Sequence, residues 1–126
     1  MGVGVSIVMG CHNRQAQILN TLDSFVFHKY KDCEIIIVDD CSDVPLEIDV
    51  EGYEFDIKIH RISPSDKVYP NPAYAYNVGI AMSRGRIIIV QNAECFHQGS
   101  VFRQLSEYDL SKVVLSLPCY SVGEQL

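Results

Sequence analysis

Five short apolar runs constrain the fold of this chain more than any other feature of its sequence. They lie at residues 5–9, 34–38, 57–62, 87–90 and 113–117. Most are apolar throughout, which is typical of strands buried on both faces of a parallel sheet, whereas 57–62 alternates. Because helical stretches separate them, they predict a three-layer α/β/α domain built on a mostly parallel sheet.

Three segments have the features of helices. Residues 14–28 carry apolar side chains three and four positions apart, and Asn13 stands where an N-cap is expected. Residues 71–84 start with an asparagine and then a proline at the first helical position, and Gly85 follows as a candidate C-terminal cap. A third, short helix is predicted over residues 100–108.

Composition limits the protein class and its partners. The 126 residues are 48% apolar, enough for the core of a single domain spanning 1–126. Ten basic and sixteen acidic residues leave a formal charge of −6, which argues against nucleic acid as the main partner. No apolar stretch approaches the ~20 residues of a membrane span, and residues 1–8 lack a signal peptide's basic region. We expect a cytoplasmic protein, or a peripheral membrane association in a full-length protein.

The cysteine pattern favours free thiols. The five cysteines are irregularly spaced, and no C-x-x-C motif occurs. This argues against a disulfide framework or a structural zinc site. Pairing of Cys11-His12 with Cys95 and His97, as zinc ligands or as a Cys–His nucleophile, is a weaker alternative, because the spacing fits no known ligand frame.

Polar residues gather where three of the predicted strands end. They occupy positions 10–13, 39–42 and 92–94. Since ligands of open parallel sheets bind beyond the carboxyl ends of the strands, we expect one crevice there, lined by several carboxylates. A divalent cation reverses the sign of such a crevice toward phosphate, and Glu94 is the natural ligand. Asp39 and Asp40 can instead accept the ring N–H of a uracil or the hydroxyls of a ribose.

Each of these motifs also has an ordinary structural explanation. Acidic residues after a strand often cap a helix or turn the chain. Taken alone, 39–42 is equally well explained as a turn, and 92–94 is better explained as a cap. Their common placement at one sheet edge favours a binding site. Tyr76 could stack on a base, but it is expected to pack its helix. Lys67 is either a solvated loop lysine or a diphosphate ligand.

At this point the sequence resembles a known family. The segments V-S-I-V-M-G-C-H-N-R (5–14), E-I-I-I-V-D-D-C-S (34–42) and N-V-G-I-A (77–81) with Gly85 and Arg86 resemble family 2 glycosyltransferases of the GT-A fold. The matches follow one another in the family's order across residues 5 to 95. The resemblance implies an inverting glycosyl transfer from a UDP-sugar, with Mn²⁺ or Mg²⁺, to a saccharide or another hydroxyl acceptor.

The resemblance also implies roles for individual residues. Asp40 would contact the uracil, Asp39 would support that loop, and Gly10 would let the backbone approach the base or ribose. Asn92 and Glu94 occupy the place of the family's D-x-D metal motif. The substrate-binding candidates are Gly10, Asn13, Asp39, Asp40, Asn77 and Asn92, and the metal candidates are Glu94 and Asn92.

The sequence departs from the family in the metal motif and at Arg86. Asn92 replaces the first aspartate of the motif, and Glu94 replaces the second. Both still offer oxygen ligands, but one charge is lost, so we expect weaker metal binding. Arg86 stands where the family often has an acid.

The stretch after Glu94 offers no convincing catalytic base. The remaining carboxylates are Glu107, Asp109 and Glu124, in a helix end or near the terminus. A base has to be held within hydrogen-bond reach of the acceptor, so we assign none. We therefore expect a chain truncated before the acceptor-binding half. The alternatives are a minimal protein that completes its site as a homodimer, a non-catalytic nucleotide-binding module, and an unrelated doubly wound protein with another phosphate ligand.

Overall fold

Four parallel strands form the sheet in the part of the chain that the computed structural model describes, residues 3–111 and 113–121. The strands are β1 (Val5–Cys11), β2 (Cys33–Asp40), β3 (Asp56–Ile62) and β4 (Ile87–Asn92). Their order across the sheet is β3-β2-β1-β4, and all three pairings are parallel. This confirms the predicted mostly parallel sheet.

Two α-helices and one short 3-10 turn connect the strands of the described chain, and a third α-helix follows β4. They are α1 (Gln15–Phe27), the 3-10 turn (Val50–Gly52), α2 (Ala73–Met82) and α3 (Val101–Leu105). The predicted third helix is therefore real but shorter than 100–108, and the other two helices start and end within a few residues of the predicted bounds.

Alternate residues of the central strands pack against helices on opposite faces of the sheet. One face joins α1 to the odd-numbered strand residues, and its buried members include Ile7, Met9, Ile35, Ile37, Ile18, Leu22 and Phe25. The other face joins α2, through Ala75, to Val8, Ile36 and Val38. Each large apolar side chain buried this way contributes about 1.5–3 kcal/mol, so both helices are held by the sheet. The three-layer α/β/α arrangement is thus confirmed.

A buried carboxylate ties the amino ends of the strands together. Glu34 is fully buried and accepts hydrogen bonds from the Ser6 hydroxyl at 2.6 Å, the Lys58 ammonium at 3.0 Å and the Arg84 backbone N–H at 2.6 Å. Burial alone would raise the pKa of Glu34, but these hydrogen bonds outweigh it and hold the pKa at about 2. The cluster lies at the opposite end of the strands from the predicted crevice.

The face of β4 differs from the prediction. Val90 was expected to be buried, yet it is 53% exposed, and Ile88 is 42% exposed. β4 is an edge strand of the described sheet, and residues 113–121 run beside it without forming a strand or helix. The prediction of a fifth strand at 113–117 is therefore wrong for the described chain. Ile88 and Val90 are exposed because α2 packs on β1 and β2 and leaves this face of β4 uncovered.

One of the two predicted asparagine caps is present. Asn13 does not cap α1: Arg14 occupies the N-cap position without a side-chain hydrogen bond, and Asn13 adopts a left-handed conformation with φ 55°. Asparagine tolerates this conformation better than most residues. Asn71 does cap the start of α2, although it lies one residue before the N-cap position, which is Pro72: its Oδ1 accepts the backbone N–H of Ala73 at 2.9 Å.

Gly85 serves close packing rather than a helix cap. Its φ is not positive, so it does not form the left-handed cap that was predicted. A Cβ at this position would lie 2.5 Å from the backbone nitrogen of Ser6, so only glycine lets the chain pass this close to β1. The Gly85 N–H also donates to the Ser6 hydroxyl at 2.8 Å.

Two further sequence expectations concern thiols and membranes. All five cysteines lie in the described residues, and each is a free thiol. None of the helices found in residues 3–111 and 113–121 combines the length and apolar character of a bilayer span.

Candidate functional site

The strand register brings the three predicted polar segments to one edge. Cys11 pairs with Asp39 across β1 and β2, and Gly10 pairs with Asn92 across β1 and β4. The carboxyl ends of β2, β1 and β4 therefore lie side by side. This row of strand ends is called the carboxyl edge below.

Asp39 is committed to holding the loop after β2. Its side chain is 1% exposed, and its two oxygens accept the backbone N–H groups of Ser42 at 3.1 Å and Leu46 at 3.0 Å. The Arg61 guanidinium, at the end of β3, donates to the same carboxylate at 3.0 Å. Burial would raise the pKa of Asp39, but these hydrogen bonds lower it overall. Asp39 is thus a loop support that is inaccessible to a ligand.

Asp40, by contrast, remains accessible at the edge. Its side chain is 13% exposed, and Oδ1 lies 3.2 Å from the Nζ atom of Lys67. Its backbone carbonyl accepts a hydrogen bond from Nδ1 of His12 at 2.9 Å. Of the two predicted aspartates, Asp40 is therefore the one able to meet a ligand, and Lys67 is its charge partner.

Asn13 links the turns after β1 and β2. Its side chain donates to the Asp43 carboxylate at 3.1 Å and accepts the Asp43 backbone N–H at 2.8 Å. Its own backbone N–H donates to the Ser42 hydroxyl at 2.9 Å. The predicted substrate-binding residue Asn13 thus lies at the carboxyl edge, where it joins the two turns.

Gly10 is covered by an aromatic ring. A Cβ at Gly10 would come within 3.3 Å of the Cε2 atom of Tyr76, on α2. The Tyr76 hydroxyl lies 3.1 Å from the backbone oxygen of Gln91 and 3.1 Å from Oδ1 of Asn92. Glycine at position 10 therefore accommodates Tyr76, which reaches from the end of β1 to the end of β4.

The turn after β4 displays two side chains and buries the one between them. Asn92 and Glu94 are exposed, whereas Ala93 is 1% exposed and packs in the core with α1. The Thr21 hydroxyl of α1 donates to the Ala93 carbonyl at 2.7 Å, and the Cys95 N–H closes the turn on the Asn92 carbonyl at 3.1 Å. The turn is therefore anchored while its polar side chains face outward.

Glu94 has the properties of a ligand for a hard cation. It is exposed and takes part in no ion pair among the described residues. Burial raises the pKa of Tyr76, and the charge of Glu94 raises it further. The described residues contain no group of three or more His, Cys, Asp or Glu suited to a metal. Mg²⁺ commonly needs only one or two protein carboxylates beside phosphates and water, so Glu94 fits that role.

Asn77 does not join the other candidates. It is exposed on α2, two residues from each of the buried residues Ala75 and Gly79. At about 100° per residue, Asn77 lies roughly opposite the side of α2 that faces the sheet. Its predicted place among the substrate-binding residues is not supported by this position.

The Cys–His alternative does not match the geometry. Burial, with the charges of Asp39 and Asp40, raises the pKa of the Cys11 thiol to about 12, which keeps it protonated. His97 points elsewhere: its Nε2 lies 2.7 Å from Gln91 Oε1, and its Nδ1 lies 2.7 Å from the Tyr30 hydroxyl. These contacts make His97 a structural residue in its neutral form, with a pKa lowered to about 4 by burial and by His28.

The family follows from comparison with known proteins. The family model described as "Glycosyl transferase family 2" matches residues 6–120. The chain belongs to this family. It is similar to an uncharacterized glycosyltransferase from Haemophilus influenzae, with 28% identity over 93 residues, which span 73% of this chain and 30% of the relative.

A solved structure shows the same fold. The crystal structure of S. aureus TarS matches this family 2 domain with a TM-score of 0.69 and 18% identity, over 82% of this chain and 19% of the TarS chain. This confirms the GT-A architecture that the resemblance implied. The domain spans about 30% of the length of the curated relative and 19% of TarS.

A cavity adjoins the carboxyl edge on the uncovered side of β4. It has a volume of about 690 Å³ and lies between β4 and residues 113–119. It reaches Asn92 at one end, and Cys95, Phe96 and His97 also line it. The exposed apolar face of β4 in this family 2 domain therefore borders the same turn that carries Asn92 and Glu94.

Three contacts at the carboxyl edge of this family 2 domain were not predicted from the sequence. They are the pairing of Arg61 with Asp39, the pairing of Lys67 with Asp40, and the hydroxyl contact of Tyr76 with Asn92. Arg61 could have been found, because it lies opposite Asp39 in the register of β2 and β3. Lys67 depends on the course of the loop before α2, which no spacing rule predicts.

Proposed function

We propose that the domain binds a UDP-sugar at the carboxyl edge, with Mn²⁺ or Mg²⁺ near Glu94, and serves an inverting glycosyl transfer to a hydroxyl acceptor. The observation that carries the proposal is the difference in burial between the polar side chains of this edge. Asp39 is buried and fully bonded, whereas Asp40 at the end of β2 and Asn92 and Glu94 at the end of β4 remain accessible on either side of β1. A fixed support beside accessible polar groups suits a binding site.

Asp40 supports the choice of uracil. A carboxylate only accepts hydrogen bonds, so it suits a base that presents a ring N–H. Uracil has such a donor at N3, whereas cytosine has an acceptor there and would leave the carboxylate unmatched. An unmatched carboxylate in a partly buried site makes the free energy of binding less favourable, so UDP should bind more tightly than CDP.

Glu94 and Asn92 support the phosphate end of the site. The domain is acidic, and a diphosphate needs a positive partner near these side chains. Glu94 would bind the divalent cation, which when present would neutralise the charge of the leaving nucleoside diphosphate. Asn92 would hydrogen-bond to ribose or phosphate oxygens, and the pairing of Gly10 with Asn92 keeps base and phosphate subsites adjacent.

Calorimetric titration of UDP with and without Mn²⁺ tests the site. The wild-type protein should bind UDP more tightly with the metal, and Glu94→Ala should lose that gain. Glu54→Ala is the matched control, because Glu54 is exposed and precedes β3 at the opposite end of the strands. Equal metal dependence in the wild type and Glu94→Ala would refute the metal assignment, and stronger binding of CDP than of UDP would refute the base assignment.

A non-catalytic nucleotide-binding domain is the second candidate. It is favoured by Asn92, which stands in the place of an aspartate of the family's motif and carries no charge. Incubation with UDP-sugars and a panel of hydroxyl acceptors separates the two functions. Metal-dependent transfer supports the enzyme, whereas metal-assisted UDP binding without any transfer supports the binding domain.

A further inference from the structure

Tyr76 stands between the two halves of the proposed donor site. It lies in the first turns of α2, and its ring packs over Gly10 at the end of β1. Its hydroxyl reaches the end of β4, at 3.1 Å from Oδ1 of Asn92. One side chain therefore spans both strand ends that the donor would approach.

The Tyr76 hydroxyl is the side-chain partner of Asn92 among the described residues. The Asn92 side chain is exposed and makes no other side-chain hydrogen bond within residues 3–111 and 113–121. An exposed amide without a partner samples several rotamers, and ordering it on ligand binding costs entropy. A hydroxyl held by its own packed ring removes part of that cost in advance.

The hydroxyl is well suited to this role because it has a proton to donate and its ring is held over Gly10. It can donate to Asn92 Oδ1 or to the Gln91 carbonyl. With Oδ1 turned toward Tyr76, the NH₂ group of Asn92 faces away from the ring and can donate to a ligand oxygen.

We propose that Tyr76 is a positioning residue whose hydroxyl sets the direction in which Asn92 meets the donor. The proposal rests on the proposed donor site and adds a specific role for Asn92 within it. Asn92 would act as a hydrogen-bond donor to a ribose or phosphate oxygen, and Glu94 would be the metal ligand of the turn.

NMR of the ligand-free protein tests the orientation without any nucleotide. Tyr76→Phe keeps the ring over Gly10 and removes the hydroxyl. We expect the Asn92 side-chain NH₂ resonances to move toward the values of a solvent-exposed asparagine whose side chain has no fixed rotamer. Tyr74→Phe is the matched control on the same helix, since its ring packs against Tyr69, and it should leave the Asn92 signals unchanged. Asn92 signals that are the same in Tyr76→Phe and the wild type would overturn the proposal.

A double-mutant cycle then tests the effect on binding. Tyr76→Phe should weaken UDP binding about three- to tenfold, the range expected for one hydrogen bond. In the Asn92→Ala background the same change should alter the affinity less than about twofold, because the group being positioned is gone. An equal loss in both backgrounds would show that Tyr76 acts elsewhere and would overturn the proposal.

The two measurements separate this proposal from the proposed function. If the wild-type protein binds no UDP, the donor assignment fails, and the ligand-free NMR comparison still decides whether Tyr76 orients Asn92. If UDP binds and the cycle shows no coupling, the donor site stands and the role of Tyr76 fails.

Discussion

Lys67 and Asp40 form an ion pair at the carboxyl edge, with 3.2 Å between Nζ and Oδ1. The pair joins the loop before α2 to the turn after β2. Their side chains are 28% and 13% exposed, so solvent screens the attraction and the pair adds little to stability. Its effect is to orient one carboxylate oxygen toward Lys67 before any ligand is present.

Asp40→Ala should weaken the binding of uridine and of UDP by the same factor, about tenfold, with or without Mn²⁺. The reason is that Asp40 is proposed to meet the base, which both ligands share. Lys67→Met is the matched variant, because it removes the partner and leaves the Asp40 charge in place. Calorimetry with uridine and UDP checks the prediction. A loss confined to UDP would place Asp40 at the phosphates instead.

Asp39→Ala should destabilise the domain by about 3 kcal/mol, because it leaves Nη1 of Arg61 and the backbone N–H groups of Ser42 and Leu46 without their acceptor. Asp40→Ala, at the next position, should cost less than about 1 kcal/mol, since its ion pair is partly exposed. Urea unfolding of the two variants gives the comparison directly. Equal losses would contradict the distinction between support and ligand contact.

Acid should destabilise the protein through Glu34. Its folded pKa of about 2 lies below the ordinary 4.5, so its contribution is complete above pH 4.5 and is lost as the pH falls toward 2. The shift corresponds to about 3 kcal/mol at neutral pH. Glu34→Gln should lower the free energy of unfolding at pH 7 and flatten its decline between pH 4.5 and 2.

Urea unfolding at several pH values measures this effect. Glu47→Gln is the control, because the Glu47 side chain is exposed and forms no ion pair among the described residues. It should keep the wild-type pH profile. Parallel profiles for Glu34→Gln and the wild type below pH 4.5 would rule out the Glu34 cluster as the source.

His97 should contribute a second loss at milder acidity. Its folded pKa, about 4, lies below the ordinary 6.5, so stability is complete above pH 6.5 and declines as the pH falls toward 4. Because solvent reaches part of the His97 side chain, we expect the free energy of unfolding to fall by on the order of 2 kcal/mol. An NMR titration of the imidazole should show a midpoint near 4. A midpoint near 6.5 would contradict the buried neutral form.

His97→Gln provides the stability comparison. It should destabilise the domain at pH 7, because the bonds to Tyr30 and Gln91 are disturbed, and it should flatten the decline between pH 6.5 and 4. His60→Gln is the control, since His60 is exposed on β3.

The sequence predicted the layers of the fold because its strongest pattern is local. Buried strands such as β2 are apolar throughout, and α1 has its apolar residues at helical spacing. Partners in the sheet are not a local property. Residues 113–117 have the composition of a strand, yet they stay unpaired in the described chain, and Val90 is exposed at an edge.

The candidate site was predictable to the extent that it follows strand ends. Gly10, Asp39 and Asn92 come together because parallel register places the ends of neighbouring strands side by side. What each residue does there depends on contacts across the chain. Whether Asp39 or Asp40 is accessible is decided by Arg61 and the loop after β2, and neither effect can be read from an Asp-Asp pair.

The burial of Ala93 has a consequence for how this domain can evolve. Folding of the turn depends on the small side chain in the core and on the carbonyl bonded to Thr21. The side chains of the exposed neighbours, Asn92 and Glu94, take part in neither of these contacts. Their identities can therefore change the affinity for a cation or a sugar nucleotide while the scaffold remains intact, which explains how a turn of this shape accepts Asn and Glu where the family has two aspartates.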